Sequence, residues 1–203
     1  MATDDALREL TLDDIRGTPP LELEVLIEEL EAAAANALDA DGSTSLSLSR
    51  LLAVAHTCTG DNGVAATHAR AALGVADAAD AEMHFVLGVE AERRDAQDEA
   101  LEQYEAAVDA DPKCWRALFH TGKIALSFGW PADAVDYFQQ VAEINPSHAP
   151  TQAFLAKLEE AAIDVQEWQD ANAGAGGDAA DDNDEPAPSE LPDMPKEMRD
   201  FKL

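Results

Sequence analysis

Few residues carry reactive chemistry, and their spacing argues for binding rather than catalysis. His56-x-Cys58 with His68 comes nearest to a metal set. Zinc sites favour C-x2-4-C and H-x3-5-H spacings, and neither is present. The histidines at 56, 68, 84, 120 and 148 stand beside no obvious nucleophile. There is no glycine-rich phosphate loop and no G-x-S-x-G elbow; Gly174, Gly176 and Gly177 follow no strand pattern. No catalytic residue, cofactor or metal is therefore expected. What does recur is a pairing of aromatics and cations at one interval. Phe85 and Phe119 are 34 positions apart, and so are Lys123 and Lys157.

That interval organises the chain. Shifted by 34 residues, the stretch 81–146 falls on itself: Gly88 lands on Gly122, Ala91 on Ala125, Ala100 on Ala134, Tyr104 on Phe138 and Pro112 on Pro146. Each copy predicts two helices. In the first, Phe85, Val89 and Glu92 share one face, and Leu87 and Ala91 another. The second, over 96–109, sets Ala100, Tyr104 and Ala107 on one side; its counterpart sets Ala134, Phe138 and Ala142 there. Small residues flanking an aromatic make a knob between two gaps, and Gly88 lets the next helix lie close. Pro112 and Pro146 cannot continue a helix but are tolerated at the first turn of the next.

The pattern resembles the tetratricopeptide repeat. One copy reads His84-x2-Leu87-Gly88-x2-Ala91, Ala100-x3-Tyr104, Pro112; the next reads Leu118-x2-Thr121-Gly122-x2-Ala125, Ala134-x3-Phe138, Pro146. His84 and Leu118 stand where the family usually carries a large aromatic, and Thr121 where it carries Leu. Those departures imply looser packing. The resemblance implies an all-α fold of about seven helices in antiparallel pairs, stacked as a short right-handed superhelix without a sheet. It also implies a concave face lined by the first helices of successive repeats. By that register the groove carries Phe85, Val89 and Arg93, then Arg116, Phe119, His120 and Lys123, then Phe154 and Lys157. Phe85 and Val89 stand where chaperone-binding relatives carry the Lys and Asn of a carboxylate clamp, so that activity is not implied. The implied function is a non-enzymatic scaffold or adaptor that holds an extended peptide or a partner helix. The alternative is a substrate-specific cytoplasmic chaperone of the kind used by bacterial secretion systems.

Charge narrows the partners. The net charge is −29, from 13 Lys and Arg against 42 Asp and Glu. Nucleic acid is disfavoured, because phosphate contacts need a basic face, and so is an anionic membrane. A basic, aromatic groove in such a chain suits an acidic-apolar ligand. No run approaches a membrane span, and the start Met1-Ala2-Thr3-Asp4-Asp5 lacks an apolar signal segment; a cytoplasmic location is expected. Cys58 and Cys114 are far apart and read as reduced and structural.

Taken in order, residues 1–41 form an N-terminal helical segment. Thr11 caps a short turn, and Leu23, Leu26, Ile27, Leu30 and Ala34 make one apolar stripe on the helix that follows. Residues 42–80 read as a degenerate helical hairpin turning at Gly60-Asp61-Asn62-Gly63, with a cap among Ser43 to Ser45. Residues 81–114 and 115–148 are the two good repeats. Residues 149–170 form a capping helix that buries Phe154, Leu155, Leu158, Ala161 and Ala162. Residues 171–203 read as a disordered acidic tail. Its last stretch, 191–203, carries Met194, Met198, Phe201 and Leu203 and is a candidate for self-binding in the groove. The protein is expected to be a monomer, or a homodimer through 21–38.

Overall fold

Local chemistry sets the helix boundaries. Thr11 and Asp14 form a reciprocal capping box: the Thr11 hydroxyl accepts the Asp14 N–H at 3.2 Å, and the Asp14 carboxylate accepts the Thr11 N–H at 2.8 Å. They open α1, Leu12–Gly17. Pro19 and Pro20 lack the amide hydrogens that would carry α1 onward, so α2, Pro20–Asn36, is a separate helix. The remaining helices are α3 Leu46–Thr59, α4 Asn62–Val75, α5 Ala81–Arg93, α6 Gln97–Ala110, α7 Trp115–Ser127, α8 Pro131–Ile144 and α9 Ala149–Asn172. The carboxylate of Asp80 caps α5 by accepting from the amides of Glu82 and Met83 at 3.1 and 3.4 Å. Pro131 occupies the first turn of α8.

The structure, a computed structural model, describes residues 10–36, 46–75 and 80–172. The Ser43–Ser45 cap, most of the link before Asp80, and the tail beyond Asn172 with its 191–203 segment lie outside them. Nine helices and no strand stand among the described residues, against about seven helices expected. The fold is all-α, built from antiparallel helix pairs.

The chain divides into two units, Met1–Thr121 and Gly122–Leu203, and the division falls inside α7. In the first unit α3 pairs with α4 and α5 with α6, α4 packs on α5, and α1 and α2 pack on α3. Their shared core runs from Ile15, Leu23, Ile27 and Leu30 through Leu52, Ala65 and Ala69 to Met83, Val86 and Leu87. Of the stripe on α2, Leu23, Ile27 and Leu30 are buried and Leu26 and Ala34 partly buried against the core, while Leu21 and Val25 on the opposite side stay exposed. Alanines at 53, 55, 65, 66 and 69 have no accessible surface, so the hairpin packs backbone close to backbone.

In the second unit α8 packs on α9, with Phe138, Val141, Thr151 and Leu158 buried. Two expectations are corrected here. Val141, not Ala142, completes the stripe of Ala134 and Phe138; Ala142 is only half-buried. The shift of 34 from Ala107 indeed reaches 141. On α9, Leu158 is buried and Phe154, Leu155 and Ala161 half-buried, but Ala162 is exposed although it lies one turn beyond Leu158 on the same helix face.

Two of the three departures from the family pattern are met by hydrogen bonds. His84 Nδ1 lies 3.0 Å from Gln103 Oε1, and the buried Thr121 hydroxyl donates to the Ala117 carbonyl at 3.0 Å. Leu118 is almost fully buried.

The closest packing is at the two repeat glycines. A Cβ on Gly88 would stand 2.6 Å from Tyr104 Cδ1, and one on Gly122 would stand 2.7 Å from Phe138 Cε1. Neither ring can retreat freely, since both are fully buried. Gly88→Ala should therefore destabilise by about 1–3 kcal/mol, and Gly122→Ala should also destabilise. Gly74→Ala meets nothing within 4 Å inside a helix and should stabilise by about 0.5–1 kcal/mol. Urea midpoints of the three variants test this; equal values would refute the glycine–aromatic contact as the determinant.

A pH dependence follows from the first hairpin. His68 stacks on the buried His56, with ring centroids 5.7 Å apart and planes 3° apart. Burial, then the neighbouring His56, holds its imidazole below its ordinary value. The unfolded chain then takes up the proton more readily, so this group's contribution to stability is lost as pH falls through the unfolded value of about 6.5. Denaturation between about pH 7.5 and 5.5 should show a smaller acid loss in His68→Gln than in the parent; parallel curves would show that His68 contributes nothing to it.

Candidate functional site

The inner side of α5 is built over an aromatic. Gly88 has no side chain, so the Tyr104 ring of α6 lies directly against α5. That approach carries the Tyr104 hydroxyl to Glu92, one turn further along α5, where it donates to Oε2 at 2.8 Å. The same oxygen lies 2.6 Å from Nδ1 of His120 on α7, and Tyr104 Oη is 3.2 Å from that nitrogen. Three helices thus meet at one carboxylate oxygen. Burial pushes the Tyr104 phenol far above its ordinary value, and the adjacent Glu92 charge and hydrogen bond raise it further. Tyr104 therefore keeps its hydroxyl hydrogen at neutral pH and serves as a donor.

Aromatic rings enclose this polar centre. Phe85 meets His120 edge-on at 5.6 Å and lies 5.9 Å from Tyr104, while Phe119 also meets His120 edge-on, at 5.9 Å. The Glu92 and His120 side chains keep 28% and 24% of their surface exposed, so the centre is open from one side. The arrangement presents an imidazole with apolar rings about it. Among the described residues there is no group of three or more His, Cys, Asp or Glu able to hold a metal ion. His56 and His68 are stacked, and Cys58 is exposed while Cys114 is buried; both cysteines are free.

The residues singled out from the sequence divide between the two units. In the first, Phe85, Phe119 and His120 come together as described. Val89 is half-buried on α5, and Arg93, at its end, is exposed. Phe85 is itself buried, so it supports the site more than it offers contact area. Arg116 is already engaged, 3.7 Å from Glu82 and over the Trp115 ring at 5.0 Å. It lines a cleft of about 560 Å³ with Arg50, Asp80, Glu82, Lys113 and Trp115. There Arg50 meets Asp80 at 2.6 Å and Arg116 approaches Glu82, which Arg16 also meets, so both arginines of the cleft are matched by carboxylates. In the second unit Lys123 is half-buried and Lys157 exposed, and Phe154 stacks on Phe138 with centroids 5.0 Å apart and planes 17° apart.

Sequence reasoning missed Glu92 and Tyr104 as site residues. Glu92 was legible as a neighbour of Phe85 and Val89 on one helix face, and Tyr104 as a packing knob. The available signal was an acid on that face, a histidine in the corresponding helix of the next copy, and a hydroxyl-bearing aromatic where the next copy has Phe138.

Comparison with known proteins follows this geometry. The tetratricopeptide repeat family model matches residues 50–113 and 91–149, which takes in most of the first hairpin as well as the two good copies. No curated protein matches the sequence. Among solved structures, PilF of Pseudomonas aeruginosa is 22% identical, with 87% of this chain and 79% of that one covered and a TM-score of 0.59. MamA is 18% identical, covering 64% and 74%, with a TM-score of 0.54. YrrB, described as a TPR protein with an unusual peptide-binding site, is 22% identical, covering 68% and 71%, with a TM-score of 0.52. At these identities the structures attest the fold alone. The spacing of 34, the glycine-against-aromatic packing in both copies and the family match agree, and the chain belongs to the tetratricopeptide repeat superfamily.

Proposed function

We propose that this protein is a non-enzymatic scaffold or adaptor that binds an extended acidic-apolar peptide, or a partner helix, along the first helices of its repeats. Tetratricopeptide repeats are protein-interaction modules, and one structural relative, YrrB, is described by its peptide-binding site. The observation that carries the reading is the surface on α5 and α7 of the first unit. Half-exposed Phe119 and His120 lie there, and Arg93 at the end of α5 makes no ion pair among the described residues. An available cation and two ring systems on a chain of −29 favour a ligand that brings apolar side chains and carboxylates. Lys123 and Lys157 are the cations of the second unit that this reading assigns to its own part of the ligand.

Two finer points belong to this reading. Residues 191–203, with Met198, Phe201 and Leu203, serve as an internal competitor for the peptide surface. Self-association through α2 is opposed by like charge: the exposed Leu21 and Val25 are flanked by Glu22, Glu24 and Glu28, all exposed. The monomer is the expected state. No helix among the described residues is long and apolar enough to cross a membrane.

The test is calorimetric titration of the full chain with a panel of synthetic peptides of about twelve residues, acidic-apolar, basic-apolar and scrambled polar. Acidic-apolar members should bind. Arg93→Glu and Phe119→Ala should each weaken them about tenfold, on the order of 1.4 kcal/mol, and the Lys123→Glu, Lys157→Glu pair should also weaken them. Added 191–203 peptide should compete. Equal binding of basic members, or no change in the variants, would overturn the reading.

A further inference from the structure

The proton positions around Glu92 can be assigned from geometry. The Tyr104 hydroxyl donates to Glu92 Oε2. His120 Nδ1 lies 2.6 Å from that same oxygen. A ring nitrogen lone pair cannot approach a carboxylate oxygen so closely without a proton between them, so Nδ1 carries the hydrogen and donates. In the neutral imidazole the opposite nitrogen, Nε2, then holds the lone pair. Nε2 has no hydrogen-bond partner among the described residues and is not buried, unlike both ring nitrogens of His56. The ring cannot turn to exchange its two nitrogens without breaking the bond to Glu92, and Phe85 and Phe119 stand edge-on to it. In its neutral form the ring therefore presents a fixed acceptor, beside aromatic rings and open to solvent on one side.

An acceptor selects a donor. If the ligand is the acidic-apolar peptide proposed above, its carboxylate and hydrocarbon side chains supply none, and its donors are the main-chain amides. We propose that Nε2 of His120 accepts a hydrogen bond from a main-chain N–H of the bound peptide, with Glu92 and Tyr104 as positioning residues that hold the ring in the Nδ1–H form. The consequence is recognition of an extended backbone at one point, independent of the side chain carried there. It also accounts for a buried hydroxyl in the first copy where the second has only the Phe138 ring. This rests on the peptide-binding reading, but its first half is a property of the free protein.

Two measurements on the full chain decide it. In two-bond proton–nitrogen correlation spectra, with His120 assigned by its absence in His120→Gln, Nδ1 should be the protonated nitrogen and Nε2 the bare one near pH 8. Glu92→Leu should shift the balance towards the Nε2–H form common in water, and Glu92→Gln, which keeps an acceptor oxygen, should restore Nδ1–H. A bare Nδ1 in the parent, or Gln and Leu behaving alike, would overturn the positioning role. The second measurement takes the tightest acidic-apolar peptide of the panel and methylates each main-chain nitrogen in turn. One position should lose about tenfold in affinity, and that loss should vanish in His120→Phe, since removing either partner removes the same contact. If peptides bind and no position shows this coupling, the acceptor role fails while the peptide-binding reading stands. If no peptide binds, both fail.

Discussion

The contact between a side-chain-free position on one helix and an aromatic ring on the next is the constraint on which this structure depends. Gly88 and Tyr104 make it in the first unit, Gly122 and Phe138 in the second. A glycine inside a helix is costly by itself, so its presence in both copies needs a tertiary reason, and the ring supplies one. With the ring pressed onto the backbone, Ala100 and Ala107 beside Tyr104, and Ala134 and Val141 beside Phe138, lose all accessible surface. The chain thus closes its repeats with alanine and a single large residue per pair rather than a thick apolar core. This explains how a chain with only 5% aromatic residues buries so much of its helical surface.

Charge acts at a different level from packing. The surplus of acids keeps the surface anionic, while several of the few cations tie elements together. Arg16 of α1 and Arg116 of α7 both reach Glu82 of α5, Arg50 of α3 reaches Asp80 at the α5 N-terminus, and Arg70 of α4 comes within 3.7 Å of Glu90. Carboxylates at the start of α5 also suit the helix dipole. Such partly exposed pairs contribute little each, about 0–1 kcal/mol, and their value lies more in excluding wrong arrangements of neighbouring helices than in net stability. It also follows that arginine content alone does not make a binding face: Arg116 is occupied by Glu82 and by the Trp115 ring.

Helical periodicity made the fold legible at the level of faces. It placed Leu23, Ile27 and Leu30 inside, and it paired Gly88 with Gly122 and Tyr104 with Phe138. The Thr11 cap and the proline that separates α2 from α1 were readable because each is a local hydrogen-bond question. Where periodicity was replaced by inspection, as at Ala142, the neighbouring residue Val141 proved to be the buried one. The site was less legible for a physical reason. Spacing tells which residues share a helix face, but not which side chain of another helix reaches them. Phe85 and Arg116 lie in their expected helices, yet one is covered and the other ion-paired. The meeting of Glu92, Tyr104 and His120 depends on distances set by Gly88, which no single-helix pattern contains.

The two copies have diverged at one atom with a large structural effect. In the first, the ring against the glycine ends in a hydroxyl, and that hydroxyl draws a carboxylate and an imidazole to a single point at 2.8 and 3.2 Å. In the second, the equivalent ring has no polar end, and Phe154 stacks on it instead. A buried hydroxyl without a partner would cost on the order of 1–3 kcal/mol, so Tyr104 is tolerable only because Glu92 receives it. Glu92 in turn receives donors from two other helices on one of its oxygens. Removing Glu92 takes away the acceptor of the buried Tyr104 hydroxyl, whereas the apolar stack of the second copy can lose volume gradually. Packing in one copy has become the support for a directed polar group, and in the other it has remained packing.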